Sequence, residues 1–246
     1  MGIGCLYFKY RRIDANSLSS LASGEVWYAS KSQLNDPFDC DPILERDIDE
    51  SQVDEILESR GIKLNECHAI ERKLELLEGS FYKFLDQAGV FCVSPTPCDE
   101  LMWGHYGDSH RGMAIGYSVK QENVRNHSSP HKSPLPVRYE GRGYAKLSDF
   151  YKSSLKMPDA EEAFIELVQA LYFSKNPAWS YENEYRFLSL RKSGLLDIGA
   201  EVEAVVFGAR TPDKHISLVS RLIGSSVDKY KVILRSGGLT HEKIDV

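Results

Sequence analysis

Hydrophobic and polar residues follow two different spacings along the chain. Short runs rich in aromatic and β-branched residues, with a period of two where one is visible, predict β-strands. The clearest run is 112–119, where Met113, Ile115, Tyr117 and Val119 alternate with small residues. Comparable runs predict strands at 3–10, 25–29, 90–94, 184–190, 202–207 and 230–234.

Other segments place hydrophobic residues three and four positions apart, which is typical of amphipathic helices. Residues 65–88 show this spacing with charged residues on the opposite side, and together with 47–60 they predict a helical insertion at about 44–88. Further helices are expected at 14–21, 159–173 and 212–223. Three prolines within 123–136 predict an exposed loop there.

Strands and helices succeed each other without regular β-α-β alternation, and no repeat or linker divides the chain. This order favours an α+β fold, because parallel α/β sheets require that alternation. We therefore expect a single domain over residues 1–246. It would contain a mixed, largely antiparallel sheet, flanking helices and the helical insertion.

The composition is that of an ordinary globular protein. The 246 residues include 30 Lys+Arg and 36 Asp+Glu, for a formal net charge of −6. This balance argues against a general DNA-coating role, which depends on an excess of cations, but leaves room for a local basic patch.

Neither a membrane span of about 20 apolar residues nor a secretory signal is visible. The five cysteines are widely spaced and contain no Cys-x-x-Cys pair, which suits a reducing compartment. These features predict a cytoplasmic protein that does not contact a membrane.

The first candidate segment is the turn that follows the strand at 25–29. Asn35, Asp36 and Pro37 are residues that bend a chain through local hydrogen bonds and a fixed φ, and Phe38 and Asp39 follow them. The amide and carboxylates could line a substrate pocket. The alternative is a self-capped turn in which Phe38 packs into the core.

The second candidate segment concentrates Trp103, His105, Tyr106, His110 and Arg111 just before a strand. Such a mixture suits a site that stacks a flat ring and binds an anion, although core packing of the aromatic residues is an equal alternative. The histidine spacing matches no helical zinc pair, so no metal is expected.

The third candidate segment places Glu182, Glu184 and Arg186 at a period of two at the start of a strand. Alternation would put the three charged side chains on one face of that strand. This face would be either a functional carboxylate pair with its arginine or a solvated sheet surface.

Common catalytic motifs are missing from the sequence. It contains no phosphate-binding Gly-x-x-x-x-Gly-Lys loop, Gly-x-Ser-x-Gly elbow, Gly-x-Gly-x-x-Gly fingerprint or His-Glu-x-x-His motif. Cys92 lies within an apolar strand pattern, which disfavours a thiol nucleophile.

Several motifs in order resemble a bacterial family of unassigned function, over roughly residues 5 to 210. They are Phe8-Lys9-Tyr10-Arg11, Gly24-Glu25-Val26-Trp27-Tyr28 continuing to Leu34-Asn35-Asp36-Pro37-Phe38-Asp39, Met102-Trp103-x-His105-Tyr106 with Arg111-Gly112, and Trp179-x-Tyr181-Glu182-x-Glu184-x-Arg186.

The layout of the elements is also similar to that of ADP-ribosyltransferases, which implies NAD as substrate. In that resemblance Glu184 holds the ribose and stabilises the oxocarbenium ion, with Glu182 as its partner. Arg11 would bind the nucleotide phosphates, and Tyr106 or Trp103 would stack on nicotinamide.

The full set expected to bind the nucleotide is Tyr10, Arg11, Trp103, His105, Tyr106, Arg111 and Arg186. The set expected to shape the acceptor pocket is Asn35, Asp36, Phe38 and Asp39.

These observations leave three functional hypotheses. The first is an NAD-using ADP-ribosyltransferase or glycohydrolase that acts as a bacterial toxin or antiviral defence effector. It would act on a nucleic-acid or protein acceptor, with room for an inhibitory or activating partner protein. The second is a nucleotide or nucleic-acid sensing module without turnover. The third is a Mg²⁺-dependent nuclease that uses Asp36, Asp39 and Glu184. The first requires Arg11 and Glu184 to line one cleft.

Overall fold

The computed structural model describes residues 5–62, 69–119, 133–152, 155, 159–190 and 192–246. The strands are β1 Cys5–Arg11, β2 Val26–Tyr28, β3 Ile43–Glu45, β4 Gly89–Val93, β5 Met113–Val119, β6 Leu135–Pro136, β7 Tyr144–Lys146, β8 Tyr185–Ser189, β9 Gly194–Leu196, β10 Glu201–Phe207, β11 Asp228–Arg235 and β12 Gly238–Lys243. The helices are α1 Ala15–Ser23, α2 Glu50–Ser59, α3 Ile70–Gln87, α4 Glu100–His105, α5 Leu147–Tyr151, α6 Ala160–Tyr172 and α7 Asp213–Ile223, with 3₁₀ turns at Lys31–Gln33 and Pro177–Glu182.

The main sheet has five strands in the order β1-β5-β10-β11-β12. All its neighbouring pairs are antiparallel except β10 with β11. The predicted α+β fold with a mixed, largely antiparallel sheet is therefore confirmed. No helix in the described part of the chain is long and apolar enough to cross a membrane.

Strand β5, which lies between β1 and β10, is buried on both faces. Its large side chains, such as Ile115 and Tyr117, pack in one apolar cluster, whereas Ala114 packs on the other face with Phe8 and Trp103. Alternating large and small residues explain why one strand can lie between two packed layers.

A second sheet, in the order β4-β8-β6, joins the main sheet at its β1 edge. Phe8 and Ser94 exchange two backbone hydrogen bonds of 2.7 and 2.9 Å across this junction. The edge strand is thereby partly covered, as edge strands usually are, and the space beside it becomes a cavity.

Helices α2, α3, α5 and α6 form a separate apolar cluster on the other side of β4 and β8. Val53, Leu77, Phe81 and Tyr151 are almost completely buried in this cluster. The helical spacing at 47–60 and 65–88 thus corresponds to α2 and α3, although residues 63–68 lie outside the described residues.

Two features differ from the sequence-based expectation. One alternative placed Phe38 in the core, but its side chain is 59% exposed. Asp36 accepts a hydrogen bond from the Phe38 backbone and turns the chain outward. The strand predicted at 184–190 begins at Tyr185, because Asn183 adopts a left-handed conformation with φ of 42° after a 3₁₀ turn. Most of the predicted loop at 123–136 lies outside the described residues.

The close approach of Gly143 to α6 gives a test of this packing. A Cβ at position 143 would lie 1.9 Å from the Ala170 carbonyl oxygen, whereas one at the exposed helical Gly79 would meet nothing. We expect Gly143→Ala to lower the free energy of unfolding by about 1–3 kcal/mol. Gly79→Ala should raise it by about 0.5–1 kcal/mol. Urea denaturation of both variants would measure the difference, and a neutral Gly143→Ala would contradict the contact.

Candidate functional site

A fully buried arginine organises the centre of the site. Arg186 on β8 donates hydrogen bonds of 2.9 and 2.6 Å to the two carboxylate oxygens of Asp39, and of 2.7 and 3.1 Å to those of Glu184. A further bond of 2.8 Å reaches the Tyr172 carbonyl at the end of α6. The planar guanidinium can bind two carboxylates through a pair of hydrogen bonds each, a bidentate geometry that a lysine ammonium lacks.

A second buried cation, Lys175, contacts the same carboxylates. Its Nζ lies 2.5 Å from Glu182, 3.1 Å from Glu184 and 3.4 Å from Asp39. Each of these residues is at most 5% exposed. Asp39, Glu182, Glu184, Lys175 and Arg186, here called the ionic cluster, thus carry three carboxylates and two cations.

The surroundings shift the pKa values of the two glutamates of the ionic cluster in opposite directions. Burial alone would raise the pKa of Glu184, but Arg186 and Lys175 outweigh it and hold that pKa far below its usual range. Burial raises the pKa of Glu182, and Lys175 opposes the shift only in part. Glu184 is therefore a fixed anion, whereas Glu182 can exchange a proton, a division of roles typical of acid–base sites.

Glu182 is also the end of a short hydrogen-bond chain. The Asn35 amide donates to the Tyr106 hydroxyl at 2.8 Å, and that hydroxyl donates to Glu182 at 2.6 Å. Because burial and the bond to Glu182 raise the pKa of Tyr106, its phenol stays protonated and remains a donor. Three segments distant in sequence thus position one carboxylate.

A cavity of about 350 Å³ opens beside the β1 edge and reaches the ionic cluster. It is lined by Phe8, Lys9, Tyr10, Arg11, Arg12, Asp14, Trp27, Ala29, Gln33, Leu34, Asn35, Asp39, Val90, Cys92, Val93, Met102, Tyr106, Lys175, Glu182 and Glu184. Arg11 and Glu184 therefore line one cavity, as the first functional hypothesis requires.

The cations on and directly after β1, here called the β1 cations, differ from those of the ionic cluster. Lys9, Arg11 and Arg12 line the cavity, and in the part of the chain that the structure describes no ion pair is made by any of them. The aromatic residues Phe8, Tyr10, Trp27 and Tyr106 also line the cavity. The cavity thus offers positive charge and flat apolar surfaces together.

Several predicted site residues converge on this cavity. They are Tyr10, Arg11, Asn35, Asp39, Tyr106, Glu182 and Glu184. Arg186 lies behind them and holds Asp39 and Glu184, so it is enclosed by protein and does not line the cavity. Asp36 is nearly buried and caps its own turn.

Other predicted residues lie elsewhere. Trp103 is completely buried, packs edge-on against Tyr10 and donates its indole hydrogen to the Pro97 carbonyl at 2.8 Å. Its faces are covered, which contradicts the expected stacking role. Phe38, His105 and Arg111 are exposed and do not line the cavity either.

Sequence reasoning missed two residues that the structure brings to the site. Lys175 stands in no recognisable pattern, and only the fold places it between three carboxylates. Lys9 lies within the Phe8-Lys9-Tyr10-Arg11 motif, so its motif position was the available signal. Cys92 is a strand residue, as expected, and burial raises the pKa of its thiol to about 12.

The acids predicted for a Mg²⁺-dependent nuclease do not form a ligand set. Asp36 is used in a turn, and Asp39 and Glu184 are bonded to Arg186. Among the described residues, no group of three or more His, Cys, Asp or Glu side chains could hold a metal ion.

In comparisons with known proteins, part of the chain matches a family whose activity is unassigned. Residues 102–187 match the family described as "Protein of unknown function (DUF2971)". This span contains β5 and parts of α4 and β8, and it includes both glutamates and both cations of the ionic cluster. No curated protein and no solved structure matches the chain. The wider motif set and the ADP-ribosyltransferase layout therefore stay predictions.

The ionic cluster predicts a large stability effect for its central arginine. Arg186→Met would leave the buried Asp39 and Glu184 with Lys175 alone, and we expect a loss of about 3–5 kcal/mol in the free energy of unfolding. The control is Arg235→Met, which removes an exposed ion pair with Glu242 and should cost at most about 1 kcal/mol. Similar losses in both variants, measured by chemical denaturation, would rule out this role for Arg186.

Proposed function

We propose that the cavity binds a nucleotide and that the protein breaks its glycosidic bond at ribose C1′, with NAD as the first candidate substrate. The observation that carries this proposal is the arrangement of one cavity. Its lining combines the β1 cations, which make no ion pair with a carboxylate among the described residues, with aromatic residues and two buried glutamates of opposite pKa shift.

The β1 cations support binding of the phosphate groups. Arg11 and Arg12 are free to form bidentate hydrogen bonds with phosphate oxygens. Trp27 and Tyr106 supply flat surfaces for a ring. A volume of about 350 Å³ is near the lower end for ligand pockets, so it suits a mononucleotide or one half of a dinucleotide.

The glutamates support the chemistry. As nicotinamide leaves, positive charge develops at C1′, and the fixed carboxylate of Glu184 would stabilise that charge. Glu182 would accept the proton of the attacking water or acceptor hydroxyl, since its raised pKa makes it the better base. Loss of cellular NAD or modification of an acceptor would fit the toxin or defence role expected from the resemblance.

The second candidate is a nucleotide-sensing module without turnover. One observation favours it, because the negative charge of Glu184 is largely neutralised by Arg186 and Lys175. A carboxylate so paired stabilises a developing cation less than a free one.

Nicotinamide release from NAD distinguishes an NAD-cleaving enzyme from a sensing module. We expect release by the purified protein, supplied with cell nucleic acid and protein as acceptors, to fall at least about 100-fold in Glu182→Gln. Glu140→Gln, at an exposed position outside the cavity, is the matched control and should leave the rate unchanged. NAD binding without any release would favour the sensing module, and absence of both would contradict both candidates.

The Tyr106 hydroxyl gives a test that depends on pH. Its hydrogen bond stabilises the ionised Glu182, so Tyr106→Phe should raise the Glu182 pKa further. If Glu182 acts as the base, the acid limb of the pH–activity profile moves to higher pH. Tyr230→Phe, remote from the cavity, should not move it. A limb that stays in place or moves to lower pH in Tyr106→Phe would contradict the assignment of Glu182.

A further inference from the structure

Lys9 is an amine without an ion-pair partner in a site that contains three carboxylates. It lies in the middle of β1, lines the cavity, and has its Nζ 5.3 Å from the centre of the Phe91 ring. Among the described residues, none makes a hydrogen bond or ion pair with this Nζ. The Phe91 ring is an apolar neighbour that offers the Nζ no carboxylate.

Lys175 is the lysine that balances carboxylate charge in the same site. Its Nζ is bonded to Glu182 and Glu184, and it is held as an ammonium group by them. Lys9 lines the same cavity but is not engaged by either carboxylate. The two lysines therefore have different tasks.

The surroundings of Lys9 favour the neutral amine. Burial lowers the pKa of Lys9, and the positive charge of Arg11, two residues further along the strand, lowers it again. Cys92, Glu184 and Glu182 oppose this shift without reversing it. A lysine that is desolvated or placed beside another cation is the usual form of a lysine that attacks carbonyl carbon.

We propose that Lys9 is a nucleophilic amine that forms an imine with the C1 aldehyde carbon of an anionic sugar, such as a sugar phosphate, bound in the cavity. The inference rests on the proposed function only in taking the cavity as the ligand site. The cations Arg11 and Arg12 would hold the phosphate, and the sugar would lie between them and the ionic cluster.

The reaction needs no oxidant or reductant. The Nζ lone pair attacks the aldehyde carbon, the carbonyl electron pair moves to oxygen, and that oxygen takes up the proton released from nitrogen. Protonated Glu182 then donates to the hydroxyl, which leaves as water while the nitrogen lone pair forms the C=N bond of an iminium cation, and return of the nitrogen proton to Glu182 gives the neutral imine. Addition of water reverses these steps and regenerates the amine and the aldehyde.

Reductive trapping tests the proposal on the intact protein. Ribose 5-phosphate and sodium cyanoborohydride are added, and the modified lysines are identified by peptide mass spectrometry. Hydride reduction of the imine leaves a mass gain equal to the sugar phosphate minus one oxygen atom. We expect Lys9 to be modified about tenfold or more faster than exposed lysines, because its surroundings favour the free amine and the cavity would hold the sugar phosphate beside it.

Lys175 provides an internal control, because it lines the same cavity but is held as an ammonium group and should stay unmodified. Lys9→Arg keeps a long basic side chain at this position but cannot form an imine. It should retain the thermal shift that ribose 5-phosphate produces and lose the adduct.

Modification of Lys9 no faster than that of exposed lysines, in a protein that binds the sugar phosphate, would overturn the proposal for Lys9 and leave the proposed function standing. A Lys9 adduct in a protein that releases no nicotinamide would support the proposal for Lys9 and contradict the proposed cleavage of NAD.

Discussion

The guanidinium of Arg186 is completely enclosed by protein, and it joins three segments of the chain at the centre of the site. It binds Asp39 from the loop before β3, Glu184 from the start of β8 and the carbonyl that ends α6. An ion cluster of this kind contributes little net stability compared with apolar packing, but breaking it is costly. Its main effect is therefore to fix which segments meet.

The cavity follows from this arrangement and from the exposed edge of β1. The backbone bonds between Phe8 and Ser94 join the two sheets at one point, and the strands diverge beyond it. The space left between them is bounded by the loop that Arg186 holds through Asp39. Polar groups at its inner end are thus rigidly placed, whereas the cations of β1 remain available to a ligand.

Periodicity predicted the elements well because it reflects local burial, and β5 and α7 lie within a residue or two of their expected bounds. The site was only partly predictable. Glu182, Glu184 and Arg186 do meet, but through a 3₁₀ turn and a left-handed Asn183 instead of strand alternation. The hydrophobic pattern also could not distinguish the buried Trp103 from Trp27, which is partly exposed and lines the cavity, since both are aromatic residues beside polar ones.

The ionic cluster and Lys9 are linked by their formal charges. The ionic cluster has a formal charge of −1 when Asp39, Glu182 and Glu184 are all ionised. One additional proton, on Lys9 or on Glu182, makes the buried region neutral, and a neutral interior is the less costly state. Because Lys9 has a lowered pKa and Glu182 a raised one, the two positions for that proton approach each other in free energy. Glu182 can then give a proton to the departing hydroxyl while the nitrogen becomes a cationic iminium, so the net charge of the site does not change as the imine forms.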